Sequence, residues 1–165
     1  MPHIEKRRPS ECSIRQLAEF RRLVKAGGEV MSAGLDRRIQ SAAWLVFAFD
    51  DHGTLVAVGA LKRPGEGYRR SVFRKAACSM PPINYALELG WIFVDQERRG
   101  SGYARLLTQS LVELAGSEKL YATTRTDNIA MKRTLVRFGF LESGSPYLSN
   151  TRDYELVLFV RSPPR

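Results

Sequence analysis

Two groups of residues in the stretch from Glu88 to Ala115 could do chemistry together. The first is a basic, glycine-bearing turn, Arg98 to Gly102, which follows an apolar strand and feeds directly into an amphipathic helix carrying Ala104, Leu107, Leu111 and Leu114 on one face. The leading amides of a helix have no intrahelical partner and sit at the positive end of its dipole, so a phosphate can take several hydrogen bonds there at once. Glycines at 100 and 102 let that backbone approach a ligand with no Cβ in the way. The second is Glu88, a carboxylate in an otherwise apolar strand, where a charged side chain needs a reason. Strand alternation predicts Glu88, Gly90, Ile92 and Val94 on one side, where Glu88 reads either as a base for a substrate proton or as a strand-end carboxylate paired with an arginine or exposed at the sheet edge. Two rival readings of the glycines fail on spacing. A dinucleotide fingerprint needs a small residue where Arg105 stands, and a P-loop needs a Gly-Lys-Ser/Thr ending that is absent.

Arg99-Gly100-Ser101-Gly102-Tyr103-Ala104 resembles the R/Q-x-x-G-x-G/A signature of the GCN5-related N-acetyltransferases, the GNAT superfamily. Further on, Asn128, Met131 and Gly139-Phe140 resemble the family's N-x-x-A…GF stretch, with the small residue shifted to Ala130. The resemblance covers residues 43 to 160. It implies a mixed α/β fold whose mostly antiparallel sheet has two central parallel strands that splay apart, here the strand ending at Val94 and the one near Leu120 to Thr124. It also implies acetyl-CoA as co-substrate, without a metal. The Arg99–Ala104 loop would hold its pyrophosphate, Phe93 and Val94 its pantetheine amides, and Asn128 would lie beside the same arm. Asn128 also reads as an ordinary helix cap.

In such a family the acyl group passes to an amine by direct attack. An alkyl ammonium titrates near pH ~10.4, so a base or a water chain must deprotonate it, and Glu88 is the best candidate. Glu29, after Gly27-Gly28, is a weaker candidate for holding a cationic acceptor. The chain departs from the family pattern at Leu135, near where many members carry a Tyr that protonates the departing thiolate. Tyr103 or Tyr147 could substitute, and a thiol with a pKa of about 8.5 leaves tolerably without help. The implied activity is transfer to a primary amine of a small molecule or protein. Two alternatives stay open: a non-catalytic acyl-CoA sensor, and an acyltransferase acting on aminoacyl-tRNA.

The surrounding elements read as follows. Ser13 with Gln16 forms a capping box that opens a helix over Ile14, Leu17, Ala18 and Val24, stopped by Gly27-Gly28. Met31 to Gln40 read as a short second helix. Trp44–Phe49 and Leu55–Leu61 form a hairpin around Asp50-Asp51-His52-Gly53. Residues 63 to 84 read as a long irregular stretch bordering the acceptor site, with Tyr68 to Cys78 able to hold a short helix or strand. Strands are expected over Tyr85–Val94, Leu120–Thr124 and Asp153–Val160, and a helix from Asp127-Asn128 to Phe140. Met1 to Pro9 offer only Ile4 as an apolar anchor, a poor basis for a strand.

At 165 residues the chain is expected to form one domain, residues 1–165. Its only cysteines, Cys12 and Cys78, show no metal-ligand spacing and suit a reducing, cytoplasmic setting. No run of about 18 apolar residues occurs, so no membrane span is expected. The net charge of +9 calls for an anionic partner, a solubility role, or both. Lys62 to Lys75 holds six basic residues against Glu66 alone. Part of that surface could steer coenzyme A, and the rest could face an acidic substrate or nucleic acid, although no zinc spacing or RNP-like aromatic pattern accompanies it. The family often forms homodimers.

Overall fold

Seven strands form a mixed sheet in the hydrogen-bonded order β1-β2-β3-β4-β5-β7-β6 in the computed structural model, which describes residues 1–165. The hairpin legible in the sequence is β2 (Trp44–Phe49) and β3 (Leu55–Lys62), antiparallel with Trp44 opposite Leu61. Both strands are buried along nearly their whole length, which is why their residues run apolar rather than alternating. Strand β4 (Leu87–Val94) runs parallel to β5 (Leu120–Arg125), with Leu87 opposite Leu120 and Glu88 opposite Tyr121. Strand β7 (Glu155–Arg161) pairs antiparallel with β5 on one side and with β6 (Leu141–Leu148) on the other.

Four elements differ from the sequence expectation, in existence or in extent. A strand β1 (His3–Arg7) does form, with Ile4 opposite Ala48, because the backbone ladder on β2 supplies what apolar side chains do not. Within the stretch read as irregular lies a helix α3 (Glu66–Lys75), anchored by buried Val72 and Phe73 and supported by an Arg70–Glu66 ion pair at 2.7 Å. Its two apolar anchors among six charged or glycine positions leave little periodicity to read. Strand β6 carries Gly144 and Pro146, both strand breakers, and is tolerated because it lies at the sheet edge and its register shifts between Ser143 and Tyr147. The second helix, α2 (Leu35–Gln40), starts later than expected, at a left-handed Gly34.

The remaining helices are α1 (Ile14–Ala26), α4 (Tyr103–Ala115) and α5 (Ile129–Arg137). The Ser13–Gln16 capping box is present, with both reciprocal bonds made at 3.1 and 2.8 Å. The chain divides into two compact units, Met1–Arg63 with Leu89–Leu114, and Pro64–Glu88 with Ala115–Arg165. In the first, Phe20, Leu23, Leu35, Ile39 and Phe47 form the core, and Trp91 and Phe93 of β4 pack against it. On the opposite side of β4, Ile92 meets Leu107 and Leu111 of α4 across Gly59. A Cβ at 59 would lie 2.7 Å from Ile92 Cδ1, so the glycine sets how closely helix and strand approach. In the second, Phe73 of α3 meets Tyr121 edge-on at 5.4 Å beside Tyr85 and Leu158. No helix is long and apolar enough to cross a membrane.

Candidate active site

The glycine turn is built from the end of β4 outward. The amide of Asp95 donates to the carbonyl of Val56 at 2.8 Å, which pins the point where the strand ends. A single 3-10 turn follows over Gln96–Arg98, closed by Arg98 N to Asp95 O at 2.9 Å. Gly100 and Gly102 then take φ of +81° and +87°, conformations that a residue with a Cβ reaches only under strain. Helix α4 begins at Tyr103, and its first intrahelical bond runs from Leu106 N to Gly102 O. The amides of Tyr103, Ala104 and Arg105 therefore have no intrahelical acceptor. A Cβ placed on Gly100 or Gly102 would meet nothing within 4 Å, so the concave face over these amides is open. A diphosphate fits this set of donors. Ser101 spends its own amide on Arg98 O at 3.3 Å. Tyr103 is buried, so what it can offer is its amide.

Two arginines enter the turn, and they do different work. Arg98 is tied down by Asp50, Nη2 to Oδ2 at 3.0 Å, while the other carboxylate oxygen of Asp50 accepts the amides of His52 and Thr54 at 3.0 and 2.9 Å. One buried carboxylate thus closes the β2–β3 turn and holds the loop after β4. The Thr54 amide first, and then Arg98, keep the Asp50 carboxyl below its ordinary range. Arg99 is exposed and donates Nε to Val94 O at 3.3 Å, which turns its guanidinium along the loop. Nothing in the sequence singled out Asp50, whose only signal was its place at a turn.

Strand β4 itself is irregular. Trp91 sits at φ +52°, unusual for a bulky residue, and this interrupts the pleat. The simple alternation that grouped Glu88 with Ile92 and Val94 therefore does not run through the strand. Trp91 packs edge-on against Phe20 at 6.1 Å with Lys62 Nζ 4.8 Å from its ring centroid. Phe93 packs against Gly27, where a Cβ would come within 3.3 Å of its ring. Glu29 lies exposed in the segment after α1.

In the second unit Glu88 is only 3 % exposed. The hydroxyl of Tyr121, its neighbour in the parallel ladder, donates to Glu88 Oε2 at 3.4 Å. Burial, and next the Glu88 carboxylate, push the Tyr121 phenol far above its ordinary range, and the same two causes in the same order raise Tyr147. Both remain neutral phenols over any working pH. Asn128 caps α5 by accepting the amide of Met131 at 3.1 Å, which leaves its NH2 donors uncommitted by the cap. Leu135 is fully buried in the core. The structure thus gathers Arg99–Ala104, Phe93, Val94 and Glu29 in the first unit and Glu88 and Asn128 in the second, with β4 running through both. No group of three or more His, Cys, Asp or Glu side chains is placed to hold a metal ion.

The fold is shared with several solved proteins. ElaA of Escherichia coli superposes with a TM-score of 0.72 at 15 % identity, over 98 % of this chain and 100 % of that one. An acyl-CoA N-acyltransferase from Pseudomonas aeruginosa gives 0.69 at 15 % identity, with the same coverage. A Bacillus anthracis protein described as a streptothricin acetyltransferase, solved in complex with acetyl coenzyme A, gives 0.53 at 17 % identity over 73 % of this chain and 62 % of that one. No curated protein matches the chain by sequence. The acetyltransferase (GNAT) family model matches residues 14–140, a span that holds the capped first helix, the glycine turn and the stretch from Asn128 to Phe140. The chain belongs to the GNAT acetyltransferase family.

Proposed function

We propose that the chain acts as one N-acetyltransferase domain, residues 1–165, moving an acetyl group from acetyl-CoA to a primary amine of a small molecule or protein. The observation that carries the reading is the buried Glu88 on the same strand that leads into the open amide cradle at Gly100–Ala104. The cradle amides and the Arg99 guanidinium bind the diphosphate, the backbone of Phe93 and Val94 meets the pantetheine, and Asn128 lies along the same arm. The Bacillus anthracis neighbour's complex with acetyl coenzyme A supports that choice of co-substrate.

When bound, acetyl-CoA supplies an acyl carbon to which the amine nitrogen bonds as the carbon–sulfur bond breaks. Glu88 takes the ammonium proton, directly or through one water, and so supplies the neutral amine that neutral pH withholds. Burial, and next Glu88, push the Tyr147 phenol up, so it holds its proton more tightly than a free phenol. The thiolate instead takes a proton through solvent, balanced by the second proton that the nitrogen loses once it has bonded to the acyl carbon. Glu29 contributes negative charge for a cationic acceptor.

The test is thiol release from acetyl-CoA with a panel of amines. Glu88→Gln is expected to lower kcat by about 10²- to 10⁴-fold and to remove the pH limb governed by the base, with acetyl-CoA affinity retained. An unchanged profile would remove Glu88 from the role. A second reading, acyl-CoA binding without transfer, draws on Leu135, a core leucine where many family members carry a tyrosine. Acetyl-CoA binding without thiol release against the whole panel would favour it.

A further inference from the structure

From the setting of Arg69 beside the Glu88 pocket we infer that the acceptor is a zwitterion, a primary amine that also carries a carboxylate, with Arg69 gripping the anionic group while Glu88 receives the ammonium proton. The inference rests on the transfer reading above and names the substrate class for that same site.

Arg69 lies on the first turns of α3, three and four residues before Val72 and Phe73, whose side chains are buried. That spacing puts it on the inward face of the helix. Phe73 packs edge-on against Tyr121 at 5.4 Å, and Tyr121 donates to Glu88 at 3.4 Å, so one tyrosine links the inward face of α3 to the buried carboxylate. Arg69 and Tyr68 of α3 both act electrostatically on the Tyr121 phenol, which places them in the same neighbourhood.

The neighbouring arginine behaves differently. Arg70 is exposed and paired with Glu66 at 2.7 Å. Arg69 is partly buried, and its Nε is shut off from solvent with no hydrogen-bond partner. A guanidinium N–H kept from water without an acceptor is costly, and a planar anion that accepts from its fork repairs the deficit. Tyr68, next to Arg69 on the same helix, is 51 % exposed, so this end of α3 borders solvent, the side from which we take an acceptor to approach. A cation, a buried carboxylate and neutral phenols around them form a site with one partner for each end of an amino acid. An amine without the anion leaves Arg69 unsatisfied, so the site discriminates by the deficit as well as by the bond.

The reaction balances as in the transfer above. The ammonium's first proton goes to Glu88, the freed amine nitrogen bonds to the acetyl carbon, the carbon–sulfur bond breaks, and the nitrogen's second proton passes through solvent to the thiolate. The Arg69–carboxylate pair is unchanged throughout.

The experiment measures thiol release with matched acceptors, L-phenylalanine against 2-phenylethylamine and L-lysine against cadaverine. The zwitterion in at least one pair is expected to show about ten- to a hundredfold higher kcat/KM. Arg69→Gln should collapse that ratio through KM rather than kcat, and Arg69→Lys should keep part of it, since charge remains while the planar fork is lost. Thermal stabilisation by acetyl-CoA reports that each variant is folded. If R69Q fails that control, the wild-type ratio and R69K decide. Equal turnover of both members of each pair, or a ratio that survives in R69Q, overturns the zwitterion inference and leaves the transferase reading standing. Release from neither series, in a protein that acetyl-CoA stabilises, overturns the transferase reading and this inference with it.

Discussion

Gly102 and Glu88 put the proposed chemistry on single residues, and each makes a separable prediction. At Gly102 the φ of +87° excludes most side chains on backbone grounds, and a Cβ would project into the open cradle. Gly102→Val is therefore expected to destabilise the free protein by about 1–2 kcal/mol and to abolish the thermal shift that acetyl-CoA gives the wild type. An undiminished shift in that variant would show that the diphosphate binds elsewhere. Glu88 differs in kind, because its change to Gln keeps shape and hydrogen bonding with Tyr121 while removing the charge. Its effect belongs in kcat and the pH profile, whereas that of Gly102 belongs in binding. Both residues stand out in the chain alone, Gly102 in a glycine turn that opens a helix and Glu88 as a charge in an apolar strand. The hydroxyl that meets Glu88 was not, since Tyr121 lies 33 residues away and carries no local signal of that contact.

At the scale of elements, two clasps hold the loops that matter. Asp50 joins the β2–β3 turn to the loop after β4 through Arg98. Asp50→Asn is expected to raise KM for acetyl-CoA severalfold and to lower Tm, with kcat at saturation retained, because the cradle loosens while Glu88 is untouched. The folded-state carboxyl sits below its ordinary value, so its stabilisation is fully present above the unfolded value of about 3.9 and is lost as pH falls through the lower folded one. The Tm gap between wild type and variant should thus be constant from neutral pH to about pH 5 and close only in stronger acid. A gap that opens or closes near pH 7 would contradict the latch. The other clasp joins β6 to the segment after α3. Ser145 N donates to Ala76 O at 2.7 Å, and a Cβ at Gly144 would lie 1.9 Å from that carbonyl. Urea unfolding of Gly144→Ala should show a loss of about 2–4 kcal/mol, since strain at φ +73° adds to a backbone clash. A neutral result would mean that β6 moves freely off Ala76.

Across the whole molecule the net charge of +9 favours polyanionic ligands. The association rate of acetyl-CoA, followed by stopped flow, should fall as ionic strength rises from about 50 to about 300 mM, while dissociation changes less. A salt-independent rate would confine the basic surplus to solubility. Local signals in the chain specified the hairpin, the capped first helix and the strand entering the glycine turn. Each is a local matter: periodicity, a cap, or a backbone angle that only certain residues accept. Only long-range contacts decided β1 and β6, and they chose helix over strand for α3, where the chain allowed either; these residues carry too few apolar anchors to announce an element and are held by ladders and contacts made far along the chain. Such contacts also decided the company each site residue keeps. Asp50 meets Arg98 across 48 residues, and Glu88 meets Tyr121, because strand pairing brings distant positions side by side, and no pattern within a short window records which neighbour a buried charge will find.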